Sequence, residues 1–499
     1  MYKPFRRLSF LLCAAAAGGL ILPGCTVGPD YRGAPEVAPD AARQPAFVRA
    51  PQDAVAPGHA PSQWWRALND PQLNALVDAA LAHNPDLHAA QARLRASRAQ
   101  LQQANANGMP TSSATLAAIR TRSPNTSVLS QGGSGGDASG QGDPAGQGGG
   151  SSGRGPVQFY SAGFDASWEL DLFGGTRRAV EAAAAEAEAV QADLADAQVS
   201  LAAEVAQAYI SLRDQQQRLR LAQRSAELQQ RMLDLTQQRR QHGTAADVDV
   251  ERLSTQVATT RATLVPLDAQ IAESLDRLAV LTGREPGALD KELGAAGPLP
   301  ALPAQVRVGD PASLLKQRPD IRGAERRLAS ANAQIGERTA DLFPKVTLFG
   351  DIGFSGSELG HLVRKENFTW IGIPYLQWNV LDFGRTRSGI RAAEAARDEA
   401  QAKYAHTVLA ALQDANTALS RYGHQREHLV RLRQVQDFAA RSAELTRQRY
   451  AAGVATLIDL LDTQRAEFAA QQDVVAGQAE LLQDFVSLQK SLGLGWQPG

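Results

Sequence analysis

The sequence predicts an α+β membrane protein in which one unit, two strands and very long helices, is written twice along the chain. Three observations carry this reading. The phrase LDLFGGTRR at 170–178 returns as LDFGRTRSG at 381–389, with Phe173 over Phe383 at an offset of 210. A proline-free run of about 67 residues follows each phrase. Segments of alternating apolar and polar residues precede each, the period of a strand with two unlike faces.

The first residues, MYKPFRRLSFLLCAAAAGGLILPGC, read as a secretory signal peptide over 1–24. Lys3, Arg6 and Arg7 make the positive start, 8–22 the apolar stretch, and Gly24 the small residue before cleavage. The apolar run is too short for a membrane-spanning helix. Leu22-Pro23-Gly24-Cys25 resembles the bacterial lipobox, which makes Cys25 the lipidated first residue of the mature chain. Thr26, with no Asp there, resembles outer-membrane sorting. Residues 25–65 form an N-terminal extension. Of two cysteines, Cys13 leaves with the signal peptide, so the mature chain has no disulfide despite an oxidising compartment. With 51 basic and 52 acidic side chains, the 499-residue chain offers no electrostatic reason to expect a nucleic-acid partner.

The offset of 210 also aligns Trp168 with Trp378, Arg239 with Arg449, Gly243 with Gly453, Asp249 with Asp459, Leu278 with Leu488 and Gly283 with Gly493. An offset of 234 serves the preceding segment. Asn84-Pro85-Asp86-Leu87 meets Arg318-Pro319-Asp320-Ile321, and Met109-Pro110 meets Phe343-Pro344. The two offsets differ by 24 residues, the size of the Gly-rich stretch at 131–155 in the first copy, which reads as a surface loop. The copies run 66–283 and 312–493, joined by a Pro- and Gly-rich linker at 284–311 and followed by a tail at 494–499.

Each copy predicts a short helix, two strands, one very long helix and a medium helix. In 159–172, Tyr160, Phe164, Trp168 and Leu170 alternate with Ser161, Asp165, Ser167 and Glu169, as in a strand facing lipid on one side and water on the other. Val346, Leu348, Ile352 and Phe354 alternate likewise. Weaker strands are expected at 111–122 and 368–382, where Pro374 interrupts. A helix of about 67 residues spans roughly 100 Å at 1.5 Å per residue. Gly243 and Gly453 then turn the chain as C-cap glycines. Leu253, Val257, Leu264, Leu267, Ile271, Leu278 and Leu281 mark one coiled-coil seam. Val454, Leu461, Phe468, Val475 and Leu482 mark the other. Four strands cannot close a barrel, which needs about eight. Open edges in lipid cost several kcal/mol per unpaired group, so the chain must oligomerise.

Cys25 followed by Val27-Gly28-Pro29-Asp30-Tyr31, Trp64-Trp65, RPDIRGAERRLASANAQIG at 318–336 and WNVLDFGR at 378–385 together resemble the TolC-like outer-membrane efflux proteins, in their NodT or OprM-like lipoprotein branch. The resemblance implies a homotrimer whose twelve strands form one barrel in outer-membrane lipids and whose helices form a periplasmic tunnel. It implies the exit duct of a tripartite pump, partnered by a periplasmic adaptor and an inner-membrane resistance-nodulation-division transporter that supplies the energy. Such a duct is not an enzyme and needs no cofactor beyond the lipid on Cys25. The hairpin tips, Arg239, Gly243 and Thr244 with Arg449, Gly453, Val454 and Thr456, match the loops an adaptor grips; alternatively they are plain helix turns. Asp459 and Asp462 match acidic residues ringing the periplasmic entrance; alternatively they lie on a solvated helix face. Some relatives carry an Arg latch in this loop where Ala455 stands here, so a closed state tied by that pairing is not expected. A type I secretion duct shares the fold, and a pore-less periplasmic coiled-coil lipoprotein is the third reading.

Asp382-Phe383-Gly384 spells a kinase motif, but no Gly-rich loop or HRD sequence accompanies it. His424 and His428 in HQREH share a helix face as a zinc pair would, but within an Arg- and Gln-rich coiled-coil helix. Only Met109 and Met232 remain in the mature chain, too few to line a copper path.

Overall fold

The computed structural model describes residues 26–51, 55–58, 61–121 and 157–496; the signal peptide, Cys25 and the Gly-rich 131–155 stretch lie outside these. Along the chain run β1 (Val55–Pro57), α1 (Pro71–His83), α2 (Pro85–Asn107), β2 (Thr111–Thr121), β3 (Val157–Leu170), α3 (Gly175–Gln241), α4 (Asp247–Ala262) and α5 (Leu264–Leu281). There follow β4 (Val306–Val308), α6 (Pro311–Gln317), α7 (Pro319–Ala340), β5 (Lys345–Gly356), β6 (Phe368–Gln377), α8 (Arg385–Ala451) and α9 (Leu457–Ser491). The chain divides into two compact units. One holds Met1–Asp30, Gln102–Glu181 and Ala333–Ala393; the other holds Tyr31–Leu101, Ala182–Asn332 and Glu394–Gly499.

The first unit is built on an antiparallel sheet of order β2-β3-β5-β6. Successive side chains alternate between faces, so Phe164 shares a face with Ala114 and Ile352, which lie opposite it, and Trp168 with Leu348. Leu116, Phe164, Ile352 and Trp370 on that face are exposed. On the other face Asp165 lies opposite both Ser113 and Asp351 and accepts a hydrogen bond from the Thr115 hydroxyl. Pro374 does not interrupt β6: it sits opposite Leu348 in an edge strand, the place where a missing N–H is tolerated. The strand stops at Gln377, five residues short of the expected end. There the Trp378 indole donates to the Leu342 carbonyl at 3.0 Å, and Asp382 turns to cap the following helix through the N–H groups of Gly384 and Thr386. The DFG spelling is therefore a helix start.

The second unit is helical, with a core in which Trp64 and Trp65 stand edge-on to each other and Trp64 edge-on to Phe485. The long helix α3 contributes Val205, Tyr209, Ile210 and Leu212 between small residues such as Ala202 and Ala206, which let its neighbours approach. Each of the two expected short helices is a pair of helices, because Pro85 and Pro319 hold the preceding residue extended. Asn84 uses that break: its Nδ2 donates to the Leu281 carbonyl at the end of α5, at 3.0 Å. Arg318 does the same for the Ser491 carbonyl at the end of α9, at 2.8 Å. Both satisfy a carbonyl that a helix end leaves unpaired. The first returning helix is also split, at Thr263, because Pro266 has no N–H to bond the Ala262 carbonyl. A small parallel pair, β1 on β4, ties the N-terminal extension to the linker.

The second seam needs correction. Leu461 and Leu482 are buried and Phe468 and Val475 half-buried, but Val454 is 63% exposed. It belongs to the turn before the helix begins, where side chains follow turn geometry rather than a heptad. Leu457, Leu460, Val474, Leu481, Phe485 and Leu488 carry much of the packing.

Candidate functional site

Both hairpin turns are built the same way. The Thr244 N–H donates to the Arg239 carbonyl and the Gly243 N–H to the Arg240 carbonyl, each at 2.8 Å, with Gly243 at φ +72. The Val454 N–H donates to the Arg449 carbonyl at 2.9 Å and the Gly453 N–H to the Tyr450 carbonyl at 3.0 Å, with Gly453 at φ +76. This paired bonding pattern requires a left-handed residue. Among the described residues, the adjoining ones aside, no atom lies within 4 Å of where a Cβ would sit at either glycine, so the dihedral, not space, demands glycine.

The ends of four helices meet around one small core: Leu233 from α3, Val250, Leu253 and Val257 from α4, and Leu457 and Leu461 from α9, with Met232 and Tyr450 packed against it. Arg239 lies over the Tyr450 ring, 5.9 Å from its centroid, with Nη1 3.4 Å from the hydroxyl. Arg449 turns onto its own loop, 3.5 Å from the Val454 carbonyl. The Thr244 hydroxyl donates to the Arg239 carbonyl at 3.0 Å, and Arg240 pairs with Asp247 at 2.5 Å. Arg465 donates to Gln256, joining the two returning helices. Sequence reasoning missed Tyr450 and Arg465. An aromatic beside Arg449 at the end of an Arg- and Gln-rich helix was the available signal for Tyr450.

Asp459 has a local task. The Thr456 N–H and hydroxyl donate to its carboxylate at 2.9 and 2.8 Å, while its own N–H donates to the Thr456 hydroxyl at 3.2 Å, a reciprocal capping box. The bond from the Thr456 N–H, then that from its hydroxyl, draws the Asp459 pKa below the ordinary carboxylate value. Asp462 is exposed and lies 3.7 Å from Arg465. His424 Nδ1 lies 2.7 Å from the Ser420 carbonyl of its own helix, and among the described residues no group of three His, Cys, Asp or Glu could hold a metal ion.

Cys25 lies outside the described residues, but the segment after it is held firmly. The Val27 N–H donates to the Phe173 carbonyl at 3.1 Å. Arg178, whose side chain is 4% exposed, donates to the Val27 and Gly28 carbonyls at 3.2 and 3.4 Å and pairs with Asp30 at 2.5 Å and Glu181 at 2.7 Å. Arg178 sits one residue beyond the matched Arg177 and has Ser388 at the offset position, so the repeat gave no hint of it.

Residues 76–284 and 311–494 match the family described as outer membrane efflux protein. The pyoverdine export outer membrane protein OpmQ of Pseudomonas aeruginosa is 32% identical over 436 residues, 87% of this chain and 88% of that protein. Nodulation protein T of Rhizobium leguminosarum bv. trifolii is 29% identical over 484 residues, 96% of each chain. Among solved structures, the outer-membrane channel OprN superposes with a TM-score of 0.81 at 35% identity, covering 95% of this chain and 100% of that one. With most of its length inside the family match and its fold that of an outer-membrane channel, this chain belongs to the outer membrane efflux proteins.

Proposed function

We propose that the chain is the outer-membrane exit channel of a tripartite efflux pump, passing small toxic compounds from the periplasm to the outside. Three copies close a twelve-strand barrel, four strands from each, and their helices enclose a periplasmic tunnel; the lipid on Cys25 adds a second hold on the membrane. The two copies at 66–283 and 312–493 give the three chains a six-fold-like periplasmic end. There the tips at Arg239, Gly243, Thr244, Arg449, Gly453, Val454 and Thr456 meet the adaptor, and Asp459 and Asp462 face the entrance. An inner-membrane resistance-nodulation-division transporter drives the flux, and the duct itself carries out no chemistry.

The observation that carries this is a four-stranded sheet with exposed apolar side chains and, among the described residues, two open edges, in a chain of the efflux family. In lipid such edges demand partners. The test is the detergent-corrected molar mass of the extracted protein by light scattering, followed by conductance in planar bilayers. Three chains and discrete single-channel steps are expected. A monomer without conductance would overturn the reading and leave a coiled-coil lipoprotein.

A further inference from the structure

The two halves differ at the middle of their long helices. In the first half three side chains of α3 hold the start of the linker by its backbone. Arg213 Nη1 donates to the Ala295 carbonyl at 3.0 Å, Gln216 Nε2 to the Leu293 carbonyl at 2.7 Å, and Arg220 Nη2 to the Gly297 carbonyl at 3.3 Å. The offset of 210 sets Gly423, Arg426 and Val430 in their places on α8. Two of the three donors are lost. Pro51 lies 3.0 Å from where a Cβ on Gly423 would sit, so a longer side chain has little room there. Arginine stands instead at two positions that are glutamine in the first half, Arg426 for Gln216 and Arg433 for Gln223.

Beside Arg426, the later part of the linker with α8 and α9 bounds a cleft of about 470 Å³, a size that suits a small ligand. Leu302, Pro303, Leu429, Leu481 and Leu482 give it apolar walls, and Arg426 and Arg433 both line it. Arg426 is half-buried, and its Nη1 is buried and, among the described residues, without a hydrogen-bond partner. A guanidinium nitrogen in that position is costly until an acceptor reaches it. Glu480 of α9 is engaged elsewhere, accepting from Gln425 Nε2 at 3.0 Å. Arg433 stands seven residues, about two turns, further along α8 and is exposed.

We propose that this cleft binds a carboxylate carrying a short aliphatic chain, with the head on Arg426 and the chain along Leu429, Leu481 and Leu482. The planar guanidinium presents its donors as a fork that matches the two oxygens of a carboxylate. The leucine walls take the chain out of water, and Arg433 adds a second positive charge on the same helix. The site is separate from the hairpin tips, since Arg426 precedes Arg449 by 23 residues, roughly 35 Å along α8. It does not depend on the channel proposed above.

The test is equilibrium dialysis of radiolabelled octanoate against the full mature chain in nanodiscs, with the uptake of protein-free nanodiscs subtracted. Saturable binding of one octanoate per chain is expected. Arg426→Gln, which installs the residue of the first half, is expected to bind about tenfold more weakly. Arg433→Gln, at an exposed position, is expected to bind about threefold more weakly. As competitors, octanamide, which keeps the carbonyl and the chain but not the charge, is expected to be about tenfold weaker than octanoate. Acetate, which keeps only the head, is expected to be at least about a hundredfold weaker. An unchanged thermal midpoint in Arg426→Gln shows that the loss is not unfolding; should that variant fail to fold, Arg433→Gln and octanamide decide. Absence of saturable binding, equal affinity in the parent and the glutamine variants, or octanamide as tight as octanoate overturns the proposal. Octanoate bound only by chains dissociated from one another would mean that a second copy covers the cleft, and overturns it too.

Discussion

Gly243 and Gly283 end their helices with the same bonding and nearly the same dihedral, φ +72 and +71, yet differ in what surrounds them. A Cβ at Gly243 would meet nothing among the described residues beyond its own chain neighbours, whereas one at Gly283 would run into the His83 carbonyl oxygen. Gly243→Ala therefore carries only the left-handed penalty of about 1–2 kcal/mol. Gly283→Ala adds a backbone clash and should lower the thermal unfolding midpoint clearly further; equal midpoints would contradict the packing described. Asp382 is a second residue-scale case. The Thr386 hydroxyl, then the N–H groups of Thr386 and Gly384, hold its pKa down to about 2. A carboxylate favoured in the folded state contributes stability that is complete above its unfolded pKa of about 4 and is lost as pH falls toward 2. Asp382→Asn should thus unfold more easily than the parent at pH 7, and the gap should close progressively below pH 4. A gap that persists at pH 2 would rule out the charged cap.

At the scale of elements, the long helices were legible because nothing interrupts them: 67 residues without proline run as one helix in each half. The turns were legible because a left-handed C-cap nearly demands glycine. The strands were legible in position but not in extent, since tertiary bonds from Trp378 and Asp382, rather than a change of pattern, end β6. The N-terminal strap was invisible. It depends on Arg178 meeting carbonyls about 150 positions earlier in the chain, and no local period encodes that. Arg178→Met should release it, with amide exchange at Val27 about tenfold faster than in the parent. Unchanged protection at Val27 would show that the Phe173 carbonyl alone holds the segment.

For the whole molecule, in the channel proposed above, three copies of Asp459 and Asp462 at one opening would make a ring that favours cations. Asp462 is the cleaner probe, since Asp459 also caps its helix. Asp462→Asn should move the reversal potential under a salt gradient toward zero without altering the mass of the assembly, and an unmoved potential would place Asp462 on a solvated face away from the pore. The sequence by itself determined the two long helices with their lengths and the glycine turns that end them. Each of these follows from local sterics or from hydrogen bonding within a segment. Only the tertiary structure decided that Asn84 and Arg318 close the ends of distant helices, that Arg178 clamps the segment after Cys25, and that Tyr450 receives Arg239 where the hairpins meet. These contacts join residues between 148 and 211 positions apart, and a long-range contact is set by how helices pack, which no single stretch of sequence records.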